Sequence, residues 1–130
     1  MQEPSAVGVD LLFRGFALFK SGQYDDAAAY FRLLTLHAPL EGRFWVTLAH
    51  TLRKTGELQE AIEAYKTALI LGLSKDPEIL LSLAEVLQDT GAFEEARIVL
   101  EEAYQVAEPA FKSHIEFIKN AWYSTNQVGV

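Results

Sequence analysis

The chain has 130 residues, half of them apolar, which suits a domain with a real core and excludes a disordered tail. Its formal charge of −7 argues against nucleic acid as a partner, because phosphate binding needs a basic face. There is no cysteine, so a disulfide framework and a thiolate zinc site are excluded, which fits a cytoplasmic protein.

The first residues, Met1 to Ser5, are acidic and lack the basic and apolar regions of a signal peptide. No apolar run reaches the roughly 18 residues that a membrane span needs. From there the sequence repeats. Ser21-Gly22-Gln23-Tyr24, Thr55-Gly56-Glu57-Leu58 and Thr90-Gly91-Ala92-Phe93 share one local pattern, with glycines 34 and 35 residues apart. Each glycine is followed by a large apolar residue, then by Ala27, Ala61 or Ala96, then by Phe31, Tyr65 or Leu100.

Each position has a physical reading. The glycine can take the left-handed conformation that ends a helix. The alanine sits where two helices cross closely; in the first repeat Ala27 is that residue, and Ala28 beside it is expected to lie off the crossing. Apolar residues precede the glycines at helical spacing: Leu11 and Leu18, then Trp45, Leu48 and Leu52, then Leu80, Leu83 and Leu87. A small residue sits in each first helix as Gly15, Ala49 and Ala84.

The period and grammar resemble the tetratricopeptide (TPR) repeat of helix, tight turn and helix. The expectation is an all-α single domain, a right-handed α-solenoid of three tandem repeats at about 8–41, 42–75 and 77–109. Between the second and third, Asp76-Pro77 reads as a helix N-cap with proline at the first helical position. Phe111, Ile115, Ile118 and Trp122 mark a further amphipathic helix over 109–123, a cap for the last apolar face, followed by a frayed tail from Ser124.

Chemistry-bearing motifs are missing from the sequence. His37, His50 and His114 have no histidine partner at helical spacing, so no metal site and no cofactor is expected. There is no nucleophile elbow and no glycine-rich phosphate loop, so the chain is not read as an enzyme. Acidic pairs such as Asp25-Asp26 and Glu101-Glu102 read as solvated outer faces.

In a TPR array the first helix of each pair lines a concave groove. Stepping about 100° per residue picks a stripe opposite the core stripe. In the first repeat it holds Val9, Leu12, Phe16 and Phe19, with Lys20 beside it. In the second it holds Arg43, Val46, His50, Arg53 and Lys54, and in the third Glu78, Leu81, Glu85, Gln88 and Asp89. The expected groove runs apolar, then basic, then acidic. Residues 42–76 carry five basic and four acidic groups, against one basic and eight acidic over 77–109. Such a groove suits an extended segment of another protein, with an apolar anchor at one end. The alternative for Phe16 and Phe19 is internal packing or a dimer contact.

The carboxylate clamp that some TPR domains use for chaperone tails is excluded. Its basic and amide positions here hold Leu12, Phe16, Thr47, Glu78 and Ser82. Tyr24-Asp25-Asp26-Ala27 with Phe31, Gly42-Arg43-Phe44-Trp45, and Ala84-Glu85 with Thr90-Gly91 resemble the translocator-class chaperones of bacterial type III secretion. That resemblance implies a small chaperone holding an extended cargo segment against Leu12, Phe16, Phe19, Val46 and His50. It also implies a homodimer, although the family's longer N-terminal helical segment is replaced here by about seven residues. The other functional class is a TPR scaffold that joins subunits of a stable assembly.

Overall fold

The computed structural model describes residues 5–128, with side chains as far as Ser124. Residues 1–4, part of the stretch read above as lacking signal-peptide features, and the last two residues of the expected tail lie outside them. Seven α-helices and no strand occur among the described residues: α1 (Ala6–Lys20), α2 (Tyr24–His37), α3 (Gly42–Thr55), α4 (Leu58–Ala68), α5 (Pro77–Asp89), α6 (Phe93–Val106) and α7 (Pro109–Val128). The chain divides into two compact units, one ending at Leu73 and one beginning at Ser74.

In the first unit, α1 pairs with α2, α2 with α3, and α3 with α4. Gly22 and Gly56 close the turns inside the two pairs with φ of 79° and 84°, a region that costs any residue with a Cβ. Ser5 caps α1 by accepting from the Gly8 N–H at 3.1 Å, and its hydroxyl also meets His37 Nε2. Ala27 and Ala61 are fully buried at their crossings. Ala28 is fully buried as well, a correction to the expectation that it lies off the crossing. The reason is that α2 is sandwiched between α1 and α3, so two adjacent directions on it are covered.

Gly15 shows how tightly the first pair closes. A Cβ placed there would stand 2.8 Å from Cδ1 and Cζ of the Phe31 ring, so the ring occupies space that any other residue would need. Arg32 on α2 ties the first repeat to the second. Its guanidinium donates to Glu60 at 2.9 and 2.8 Å and to Glu57 at 2.8 Å. Held this way, Glu60 is pushed below the usual carboxylate range. After α4 the chain makes a wide π-type turn over Leu69–Leu73, with Gly72 at φ 108°. The turn was not foreseen from the sequence.

In the second unit, α5 pairs with α6 and α6 with α7. Asp76 caps α5 as expected, its carboxylate accepting from Glu78 and Ile79 N–H groups at 3.0 and 3.3 Å. Ile115 on α7 is fully buried, with Phe111, Ile118 and Trp122 half-buried beside it. Polar ties follow the same seam: the Tyr104 hydroxyl donates to Glu116 at 2.9 Å and Lys119 reaches Glu101 at 3.4 Å. The helix runs on to Val128 rather than ending near Tyr123. No glycine or proline stands between Tyr123 and Val128 to stop it.

Candidate functional site

The two first helices of the first unit carry the candidate surface. Taking the small residue of each as zero and stepping about 100° per residue, the fourth-turn neighbours fall in one order on both helices. On α3, Val46 lies about 60° from Ala49, and His50, Arg43 and Lys54 lie about 100° to 140° away. Val46 is buried, with 8% of its surface open, while His50, Arg43 and Lys54 are exposed. On α5 of the second unit the same order holds: Leu81 is buried at 7%, Glu85 and Gln88 are half-buried, and Glu78 and Asp89 are exposed.

This corrects the sequence reading in two ways. The stripe is a flank of the core stripe and not its opposite, because α2 covers the far side of α3, where Thr51 is buried. Val46 is consequently buried instead of lining an open surface, and Leu81, at the equivalent position of α5, is buried too. The first repeat differs. Leu12, the counterpart of Val46, is half-buried, Val9 and Phe16 are exposed, Phe19 is half-buried and Lys20 is exposed. Phe16 keeps 43% of its surface open.

Ring contacts organise this face. Phe16 meets Phe31 edge-on, with centroids 5.4 Å apart and planes at 66°. One repeat on, at the same register, His50 meets Tyr65 with centroids 5.4 Å apart and planes at 66°. The backbone thus builds the same T-shaped pair twice, a favoured arrangement for aromatic rings. Phe19 packs edge-on against Tyr24 at 5.1 Å, and Lys54 from α3 stands 5.9 Å from the centroid of that Tyr24 ring. Phe19, Tyr24 and Lys54 therefore link the apolar part of the face to its basic part. Tyr24 is half-buried on this face, and Tyr65 lies fully buried beneath it; neither was among the residues picked from the sequence. Their signal was available, since both occupy second-helix positions that repeat at a period of 34.

The His50–Tyr65 pair differs from its counterpart in chemistry. Tyr65 Oη and His50 Nδ1 are 2.5 Å apart. Burial, and then the nearby charge of Arg53, hold the His50 imidazole below its ordinary range, so the neutral ring is favoured. Although the residue is exposed overall, neighbouring protein crowds its ring. No group of three or more histidine, cysteine or acidic side chains able to hold a metal ion occurs among the described residues. No helix among them is long and apolar enough to cross a membrane.

The tetratricopeptide-repeat family model matches residues 14–72 and again 46–111, each match spanning two successive repeats. The chain belongs to the tetratricopeptide-repeat family. Among solved structures, the Yersinia enterocolitica type III secretion translocator chaperone SycD aligns at 24% identity, over 97% of this chain and 90% of that one, with a TM-score of 0.83. SycD in complex with a peptide of the translocator YopD aligns at 23% identity, over 98% of each chain, with a TM-score of 0.80. The Sgt2 TPR domain from Aspergillus fumigatus aligns at 18% identity, over 95% of this chain and 84% of that one, with a TM-score of 0.78. No curated protein sequence matches the chain. At these identities the structural likeness establishes the fold, and the side chains of the face must carry any functional argument.

Proposed function

We propose that the chain is a non-catalytic binding protein that holds an extended segment of another protein, as a small chaperone of bacterial type III secretion does. The observation that carries the reading is the row of exposed and half-buried apolar side chains on α1, with Phe16 43% open, and the basic side chains on α3, of which Lys54 stands over the Tyr24 ring that packs on Phe19. An exposed row of this kind is costly in water and marks an interaction surface. The likeness to SycD, whose structure includes a complex with a translocator peptide, supports the choice of an extended segment as occupant. On this reading the chain works as one TPR domain in the bacterial cytoplasm. Val9, Leu12, Phe16 and Phe19 form the apolar contact, Lys20, Arg43, His50, Arg53 and Lys54 form its polar edge, and on α5 the half-buried Glu85 is the polar counterpart, over the buried Leu81.

Affinity capture from the source cells identifies the partner, and titration with the captured protein tests the surface. Phe16→Ala with Phe19→Ala weakens binding about 30-fold or more, because removing an aromatic anchor costs roughly 2 kcal/mol. Arg53→Ala with Lys54→Ala weakens it less, by a loss that shrinks in high salt. A folded double-Phe variant with unchanged affinity removes the reading. Co-expression then separates the two classes of TPR protein: a chaperone keeps an otherwise insoluble client in solution, and a scaffold subunit does not.

A further inference from the structure

The second repeat builds the T-shaped pair of the first with a hydrogen bond inside it. Phe31 shows that a phenyl ring satisfies the packing at this register, so the Tyr65 hydroxyl is not needed to fill space. The hydroxyl makes a contact that a phenyl ring cannot, with His50 Nδ1. A phenol is the natural donor to a neutral imidazole nitrogen, and that donation puts the ring's own proton on the other nitrogen. His50 makes no other hydrogen bond among the described residues, and it belongs to the exposed flank of α3. His50 is exposed overall, and on this tautomer Nε2–H is the donor the ring has to offer.

We infer that Tyr65 is a positioning residue that holds the His50 imidazole with its proton on Nε2, so that the second repeat presents a hydrogen-bond donor to a backbone carbonyl of the bound segment. The inference rests on the proposed function and deepens it. An extended segment has no internal ladder, so its carbonyl oxygens lose water on binding and need donors. The face then reads two properties in register. The first repeat takes an apolar side chain against Phe16, and the second satisfies a main-chain carbonyl one repeat further on. A carbonyl suits this donor better than a carboxylate does, because the favoured imidazole carries no charge. The groups bearing on it are the Tyr65 phenol and the Arg53 guanidinium.

Two measurements decide the matter. In the first, imidazole nitrogen spectra of the nitrogen-15-labelled chain at pH 7.5 show His50 protonated at Nε2 and bare at Nδ1. Tyr65→Phe, which copies the packing of Phe31, loses that bias and raises the pH at which His50 titrates. A proton on Nδ1 in the wild-type chain overturns the inference whatever the protein binds. In the second, a phage-displayed library of random 12-residue peptides is selected on the wild-type chain. The selected peptides bind His50→Phe about 10-fold more weakly, His50→Gln within about 3-fold of wild type because a donor is kept, and Tyr65→Phe in between. Peptides that bind His50→Phe as tightly as wild type overturn the carbonyl contact. A library that yields no binder to the wild-type chain overturns the proposed function and the carbonyl contact together. The nitrogen spectra still decide the role of Tyr65 in that event.

Discussion

The first and second repeats share a backbone plan and differ in what they expose. Both place a ring of the first helix edge-on against a ring of the second, with the same 5.4 Å separation and 66° angle. In the first repeat both rings are phenylalanine, the small residue beneath them is Gly15, and Phe31 sinks into the space a Cβ would take. In the second the rings are histidine and tyrosine, the small residue is Ala49, and a hydrogen bond joins the pair. The far side of the helix differs too. Thr51 on α3 is buried, while Ala17, its counterpart on α1, is exposed and Phe13 nearby is 71% open. Repetition fixes where side chains go, and substitution within the repeat decides what they do there. The same TPR plan therefore serves unrelated tasks.

The largest test of this comparison separates the two partners of the first pair. Phe31 is fully buried, and Phe31→Ala is expected to cost about 3–5 kcal/mol in urea unfolding. Phe16→Ala removes a ring that is nearly half open, and it is expected to cost less than half as much. Equal costs would make Phe16 a core residue and return it to the packing alternative.

That division also shows how far the sequence can be read. The helices, their order, the glycine turns and the Asp76 cap were legible, because a period near 34 carried through three repeats averages out local noise. Which positions share one flank of each first helix was legible for the same reason. Their depth was not. A helical wheel gives direction, but burial depends on which neighbours are present, so Val46 and Leu81 were expected on an open stripe and are buried. Ala28 was misplaced because one helix projection cannot show that α2 is covered from two sides. The wide turn at Leu69–Leu73 has no counterpart in the other repeats, and a repeat argument is blind to what occurs once.

A smaller effect is expected from exchanging the residues under the rings. Gly15→Ala gains roughly 1 kcal/mol of helix propensity, but the new methyl meets a fully buried ring that has nowhere to move. Overpacking of this kind costs about 1–3 kcal/mol, so the net expectation is a loss of about 1 kcal/mol. Thermal melts of Gly15→Ala and of Ala49→Gly in parallel check it. If Gly15→Ala stabilises the chain, the first repeat has slack, and the contrast with the second narrows to chemistry alone.

The smallest expected effect is the most specific, and it concerns the chemistry of the second pair. His50 has its protonation pulled below the ordinary value of 6.5, first by burial and then by Arg53. The unfolded chain therefore binds a proton at His50 over a pH range in which the folded chain does not. Where the unfolded state binds more protons, stability rises with pH. The contribution is complete above about pH 6.5, falls as the pH drops below that value, and levels off once the folded ring is protonated too. Carboxylates held low by partners, Glu60 with Arg32 and Glu101 with Gln105 and Lys119, lose their contributions at lower pH, below about 4.5. Urea unfolding from pH 8 to pH 5 reads the window, and the difference between wild type and His50→Phe cancels the other titrating groups. The expected difference curve rises between pH 5 and 7 and is flat above. Tyr65→Phe, with its donor to Nδ1 gone, is expected to lose part of that slope, because the folded His50 then titrates closer to its unfolded value. A flat difference curve across the whole range would show that His50 titrates as it does in the unfolded chain. The second ring pair would then be a packing contact like the first, and the chemical distinction between the repeats would rest on charge alone.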